Sequence, residues 1–165
     1  MILYIVRHGI AIDREDPNSP PEAERYLTAK GVEKTRAAAQ GLKALGIEPA
    51  ALFTSPYLRA VQTGEIVCEA LGLRASKLKR TDALLPEADP AEFFRELRRT
   101  QASEVMCFGH GPNVDLLVAH ALGTTHAATE MKKAGVACLE ITSPTAGRGK
   151  LVWLATPKML RLAGE

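Results

Sequence analysis

Two histidines and two arginines of this 165-residue chain fall in three short segments, each following an apolar run. Arg7-His8-Gly9 comes directly after ILYIV (2–6), Ser55-Pro56-Tyr57-Leu58-Arg59 directly after ALFT (51–54), and Gly109-His110-Gly111-Pro112 closes the run EVMCFG (104–109). These residue types suit one chemistry. A neutral imidazole accepts a phosphoryl group, and planar guanidinium forks match the oxygens of that group. A second imidazole, once protonated, neutralises further charge. Two arginines can also stabilise the equatorial oxygens of an in-line transfer, the part a metal ion plays elsewhere. Each residue alone has a plainer reading: a loop histidine, a solvated helical arginine, a helix-capping histidine. The functional reading depends on their meeting.

The elements that would bring them together are legible. The run 2–6 is short, apolar and β-branched, which predicts a strand buried on both faces. Thr28 is placed to N-cap a helix from about 29 to 45, stopped by Gly46. Residues 51–54 read as a strand, and Ser55-Pro56 as N-cap and first-turn proline of a helix reaching Leu71 before Gly72. A weak strand at 77–80, a helix from Asp89-Pro90 to about Arg99, a strand at 104–109 and a helix over 112–122 follow. Residues 136–142 and 150–155 read as a hairpin, and the end of the chain as a short helix. Such alternation predicts a three-layer α/β/α sandwich around a mainly parallel sheet, in one domain spanning 1–165. The carboxyl ends of parallel strands share an edge where ligand crevices form, so His8, Arg7, Arg59 and His110 are expected in one pocket. Gly9 would let backbone approach the ligand, and Ser55 would cap its helix while facing the phosphate. The proline-rich, charged stretch 13–24 reads as a surface loop with no packed element.

These segments resemble, in order, the motif blocks of the histidine phosphatase, or phosphoglycerate mutase-like, superfamily. Arg7-His8-Gly9 is followed by Leu27-Thr28 with Gly31, then Thr54-Ser55-Pro56 through Arg59-Ala60 and Gln62-Thr63, then Gly109-His110 with Pro112. The short chain, without long inserts over the pocket, is similar to the SixA group. The resemblance implies His8 as the phosphorylated nucleophile, with Arg7, Arg59 and His110 forming the phosphate pocket. Leu85-Pro86-Glu87 falls where many members carry their catalytic acid, making Glu87 the candidate, although the following EADPAEF departs from the usual glycine-rich pattern. The implied activity is that of a metal-independent phosphatase, a phosphoric monoester hydrolase without cofactor. Its implied substrate is a phosphohistidine-bearing signalling or phosphotransfer protein. A small phosphorylated metabolite handled by the same site, and a non-catalytic phosphate-binding module, are the alternatives.

Composition sets the remaining bounds. A net charge of +2 gives no general case for nucleic acid or an anionic membrane, so positive potential must be local. The N-terminus lacks the pattern of a signal peptide, and a cytoplasmic location is expected. Cys68, Cys107 and Cys138 are widely spaced in apolar contexts and read as small core residues. His120 and His126 are read as packed or solvent-facing, and Lys132-Lys133 as a solvated pair.

Overall fold

The computed structural model describes residues 1–165. Six strands form one sheet: β1 (Ile2–Arg7), β2 (Ala51–Thr54), β3 (Leu78–Arg80), β4 (Glu104–Gly109), β5 (Val136–Ile141) and β6 (Gly149–Ala155). Their order is β3-β2-β4-β1-β5-β6. The first four pair parallel, while β5 runs antiparallel to β1 and β6 antiparallel to β5. The helices are α1 (Ala29–Ala44), α2 (Leu58–Leu71), α3 (Pro90–Leu97), α4 (Asn113–Leu122) and α5 (Pro157–Ala163). This is the expected three-layer sandwich.

Strand alternation divides the core in two. Leu3 and Ile5 of β1 and Val105 and Cys107 of β4 face one side, where Phe93, Phe94 and Leu97 of α3 and Val114, Leu117 and Val118 of α4 pack on them. Tyr4, Val6, Met106 and Phe108 face the other side, covered by Ala39 and Leu42 of α1, Val67 and Cys68 of α2 and Leu160 of α5. All three cysteines are buried, and burial pushes their thiols above the ordinary range.

Most helix signals act as the sequence predicts. The Thr28 hydroxyl accepts from Gly31 N–H, Asp89 from Ala91 N–H, and Gly72 and Gly123 close their helices in the left-handed conformation. The start of α2 differs. It begins at Leu58 rather than at Pro56, and Tyr57 instead of Ser55 occupies the cap position, without a side-chain bond. Ser55 Oγ accepts from Tyr57 N–H at 3.3 Å, but its main commitment is a histidine, described below. The loop 13–24 also carries more structure than its composition suggests, with a 3-10 turn at Glu22–Glu24.

The base of that loop is fixed by backbone. Ala11 and Leu27 form an antiparallel bridge, Ile12 N–H donates to Tyr26 O, and Thr28 N–H donates to Ile10 O. Helix α1 lies so close to this turn that a Cβ at Gly31 would run into the carbonyl of Ile10. A backbone carbonyl cannot yield as a flexible side chain can. Gly31→Ala is therefore expected to destabilise the protein by ~1–3 kcal/mol or more, as overpacking does. Urea unfolding checks this, and an unchanged midpoint would show that the approach of α1 to Ile10 is not a constraint on folding.

Candidate active site

The sheet register sets the site. Arg7 pairs with Gly109 and Thr54 with Phe108, and one further residue on each strand stays in hydrogen-bonded register. His8 N–H donates to Gly109 O at 2.9 Å, and Ser55 N–H donates to Phe108 O at 2.9 Å. His8, Ser55 and His110 thus leave the sheet side by side at one edge, where the rings of His8 and His110 stand 5.1 Å apart. A cavity of about 320 Å³ opens there, lined by Arg7, His8, Arg59 and His110 together with Arg14 and Arg25.

His8 is 7% exposed, and its Nδ1 lies 2.6 Å from the carbonyl of Gly9. A carbonyl only accepts, so Nδ1 carries the proton and Nε2 keeps a lone pair. Arg59 Nε–H donates to that Nε2 at 3.3 Å. His110 is 1% exposed and its Nε2 lies 2.7 Å from Ser55 Oγ, while its Nδ1 is buried without a partner. Tyr57 packs edge-on against the His110 ring at 5.3 Å. Arg7 is oriented from outside the pocket: its Nη1 donates to Met131 O at 2.6 Å, and Met131 N–H donates to the Asp115 carboxylate at 2.9 Å. Arg7 Nε has no partner. Buried polar atoms are nearly always satisfied. His110 Nδ1 and Arg7 Nε, on two residues that line one cavity, therefore leave hydrogen-bonding capacity for an anion.

Arg59 is 2% exposed, and a buried guanidinium needs partners. Its Nη1 donates to the backbone carbonyl of Glu22 at 2.8 Å and its Nη2 to Glu22 Oε1 at 2.7 Å. The same carboxylate accepts from Arg14 at 3.0 Å and from Arg25 at 3.1 Å. Partial burial pushes the Glu22 carboxyl up, but hydrogen bonds from Arg14 and Arg25 and the charge of Arg59 hold it below the usual carboxylate range. Glu22, Arg14 and Arg25 have no place among the motif residues read from the sequence. Their one local signal is the i,i+3 pairing of Glu22 with Arg25.

Other expected residues have different places. Gly9 is not part of the cavity wall: its N–H donates to Thr63 Oγ1 at 3.0 Å, and a Cβ there would collide with Thr35 Oγ1. Its smallness serves packing behind His8 rather than backbone approach to a ligand. Ser55, fully buried, reaches the cavity only through His110. Gly111 does line it, close enough that a Cβ would stand 3.3 Å from Arg7 Cζ. Glu87 is exposed in a turn and lines a neighbouring cleft that shares Arg14 and Pro86 with the cavity. Asn113 anchors that turn by donating to Ala88 O at 2.9 Å, which sets Pro86 on the rim and leaves Glu87 beyond it. Lys133 reaches the cavity, because β5 starts where β1 ends; Lys132 does not line it. His120 packs on Phe94, with ring centres 4.6 Å apart, and His126 is exposed. No group of three or more His, Cys, Asp or Glu side chains is arranged to hold a metal ion.

Burial, reinforced by Arg59, Arg7 and Lys133, brings the His8 imidazole down to about 3 against the hydrogen bond to Gly9; burial, His8 and the arginines bring His110 down to about 2. Both rings are neutral near neutrality in the ligand-free protein. An unfolded histidine takes up a proton below about 6.5, whereas these two stay neutral until far lower, so native stability falls as pH drops from about 6.5 toward 3. NMR of the imidazoles is expected to show His8 and His110 not titrating between about pH 5 and 8. Denaturant unfolding over the same range should show a shallower acid-side loss in His8→Asn. Titration of both rings near pH 6.5 would contradict the buried, neutral arrangement.

The chain is matched by the model of the histidine phosphatase superfamily (branch 1) over residues 3–84. It is 37% identical to an uncharacterised protein of Picosynechococcus sp. over 141 residues, 82% of each chain. It is 29% identical to the phosphohistidine phosphatase SixA of Escherichia coli K12, over 99% of this chain and 98% of that one. The solved structure of the protein histidine phosphatase SixA complexed with tungstate superposes with a TM-score of 0.83 at 27% identity, covering 96% of this chain and 98% of that one. With that fold and those motif blocks in place at one sheet edge, the chain belongs to the histidine phosphatase superfamily.

Proposed function

We propose that the chain is a metal-independent phosphatase that hydrolyses its substrate through a phosphohistidine on His8, and that the substrate is a phosphohistidine of a partner protein. The observation that carries the reading is His8 itself. Its Nδ1 proton is tied to Gly9 O, so Nε2 carries the lone pair. In the ligand-free protein that lone pair accepts only a long hydrogen bond from Arg59 Nε–H, at 3.3 Å, which an entering phosphoryl oxygen would take over, freeing Nε2 to attack. Nε2 attacks phosphorus, an N–P bond forms, and the bond to the leaving group breaks with its electron pair. Water then attacks, the N–P bond breaks, the pair returns to Nε2, and inorganic phosphate departs.

Arg59 and Arg7 flank the transferring oxygens, where preorganised donors lower the barrier. His110 fits beside them in one tautomer: Ser55 O–H donates to Nε2, which leaves the unpartnered Nδ1–H as a donor for a phosphoryl oxygen. The approach of an anion also raises the proton affinity of His110, which does not attack. The SixA relative, similar over nearly the whole of both chains, supports phosphohistidine as substrate. So does the placement of Glu87, exposed in the neighbouring cleft. Imidazole leaving from phosphohistidine can already carry a proton on its other nitrogen, so no acid is required of the enzyme.

Two experiments test this. Rapid quench with labelled substrate is expected to trap a base-stable, acid-labile adduct in the wild type and none in His8→Ala, with turnover undiminished by EDTA. An adduct in His8→Ala, or activity lost in EDTA and restored by a divalent ion, would overturn the mechanism. Glu87→Gln is expected to turn over a phosphohistidine protein with a loss far short of the ~10²-fold that removal of a general acid brings. A loss of that size would make Glu87 the acid, and turnover of small phosphomonoesters alone would replace the substrate.

A further inference from the structure

We propose that Glu22 is a positioning residue for phosphoryl transfer, acting through Arg59; the inference rests on His8 being the nucleophile. Glu22 touches both Nη atoms of Arg59, one with its backbone carbonyl and one with its carboxylate, at 2.8 and 2.7 Å. Two contacts from one residue leave the planar fork a single orientation, and in it Nε faces His8 Nε2 at 3.3 Å. The Tyr57 ring supports the same plane, with Arg59 Cζ 5.1 Å from its centre. An oxygen of a phosphoryl group entering at Nε2 would meet this N–H first.

Glu22 approaches Arg59 from behind. It is absent from the wall of the cavity that holds His8 and His110, and lines the adjacent cleft with Tyr57 and Arg14 instead. A carboxylate that competed with substrate would stand inside the cavity. This one occupies the Nη atoms and leaves Nε to the reacting nitrogen. The loop that carries it is held in turn. Arg25 donates to both oxygens of Glu22 at 3.1 Å and, through Nε and Nη2, to Ile12 O at 3.0 and 2.8 Å, closing the two ends of the 13–24 loop on each other. Arg14 adds Nε and Nη2 contacts at 3.0 and 3.1 Å from the solvent side.

A double-mutant cycle with an aryl phosphate tests the assignment. Glu22→Gln keeps the shape and removes the charge; kcat is expected to fall ~10–10²-fold, the scale on which a misplaced group acts, with KM changed far less. Glu22→Asp, which keeps the charge one methylene shorter, should recover part of the loss. In an Arg59→Ala background, Glu22→Gln should remove almost nothing further, since its target is gone. An equal loss in both backgrounds would reduce Glu22 to a support for the loop, and a gain in kcat would make it a competitor; either overturns the proposal. Thermal unfolding of each variant separates a folding defect from a positioning one, and Glu22→Asp carries the test if Glu22→Gln does not fold. Absence of a phosphoryl-His8 adduct in the wild type would bring down the His8 reading itself, an outcome distinct from any result of the cycle.

Discussion

A guanidinium with 2% exposure is the most demanding group in this protein, because a buried charge without partners is costly enough to unfold a domain. Arg59 is permitted where it is only because Glu22 meets it there. That pairing explains why a loop of prolines and charges, with almost no apolar material of its own, is nonetheless fastened at both ends and folded into a turn. Arg25 closes its base on Ile12, Ala11 bridges Leu27, and Gly31 lets α1 approach the Ile10 carbonyl. Remove the need to seat one cation and little else in the chain would require this stretch to be ordered.

The same low-dielectric surroundings disfavour charge on the imidazoles, which, unlike the guanidinium, can shed it. Burial favours the neutral ring, and the neighbouring cations add to that preference. A nucleophilic nitrogen must be unprotonated, so the field that would attract a phosphoryl dianion also keeps His8 in the neutral form that the proposed attack requires. Arginine can share this space because its guanidinium stays charged where a lysine or histidine would lose its proton. Lys133, the remaining cation of the cavity, lies outside the buried side chains.

Much of this was legible in the sequence because it is local. The apolar run 2–6, the caps at Thr28 and Asp89 and the glycine stops at Gly72 and Gly123 depend on neighbours within a few residues, and the shared sheet edge follows from strand direction. What the sequence hid depends on distant partners. Glu22 is separated from Arg59 by 37 positions, and no spacing rule links a loop glutamate to a helical arginine across that interval. Ser55 reads as a helix cap because Ser-Pro before a helix usually is one; its hydroxyl accepts from Tyr57 N–H but also meets His110, 55 residues on, and α2 begins only at Leu58. Lys133 reads as solvated until β5 is known to run against β1, which returns its start to the edge where β1 ends.

The motif residues divide into those that can meet a ligand and those that cannot. Gln62 accepts from Leu27 N–H at 2.8 Å, and Thr63 accepts from Gly9 N–H while donating to Arg59 O at 2.7 Å. These contacts clamp the turns after β1 and before α1 onto α2, so that His8, Arg59 and the loop bearing Glu22 are all tied to one helix. Rigid placement of a few charged groups in a small, polar cavity selects for the phosphoryl group itself, because its wall offers little beyond Ala11 and Pro86 with which to grip a carbon skeleton. Recognition of whatever carries the phosphoryl group must then come from outside the cavity, along the rim and the neighbouring cleft. A substrate presented on the surface of another protein supplies that recognition through its own surface, which is the arrangement the proposed phosphohistidine substrate requires.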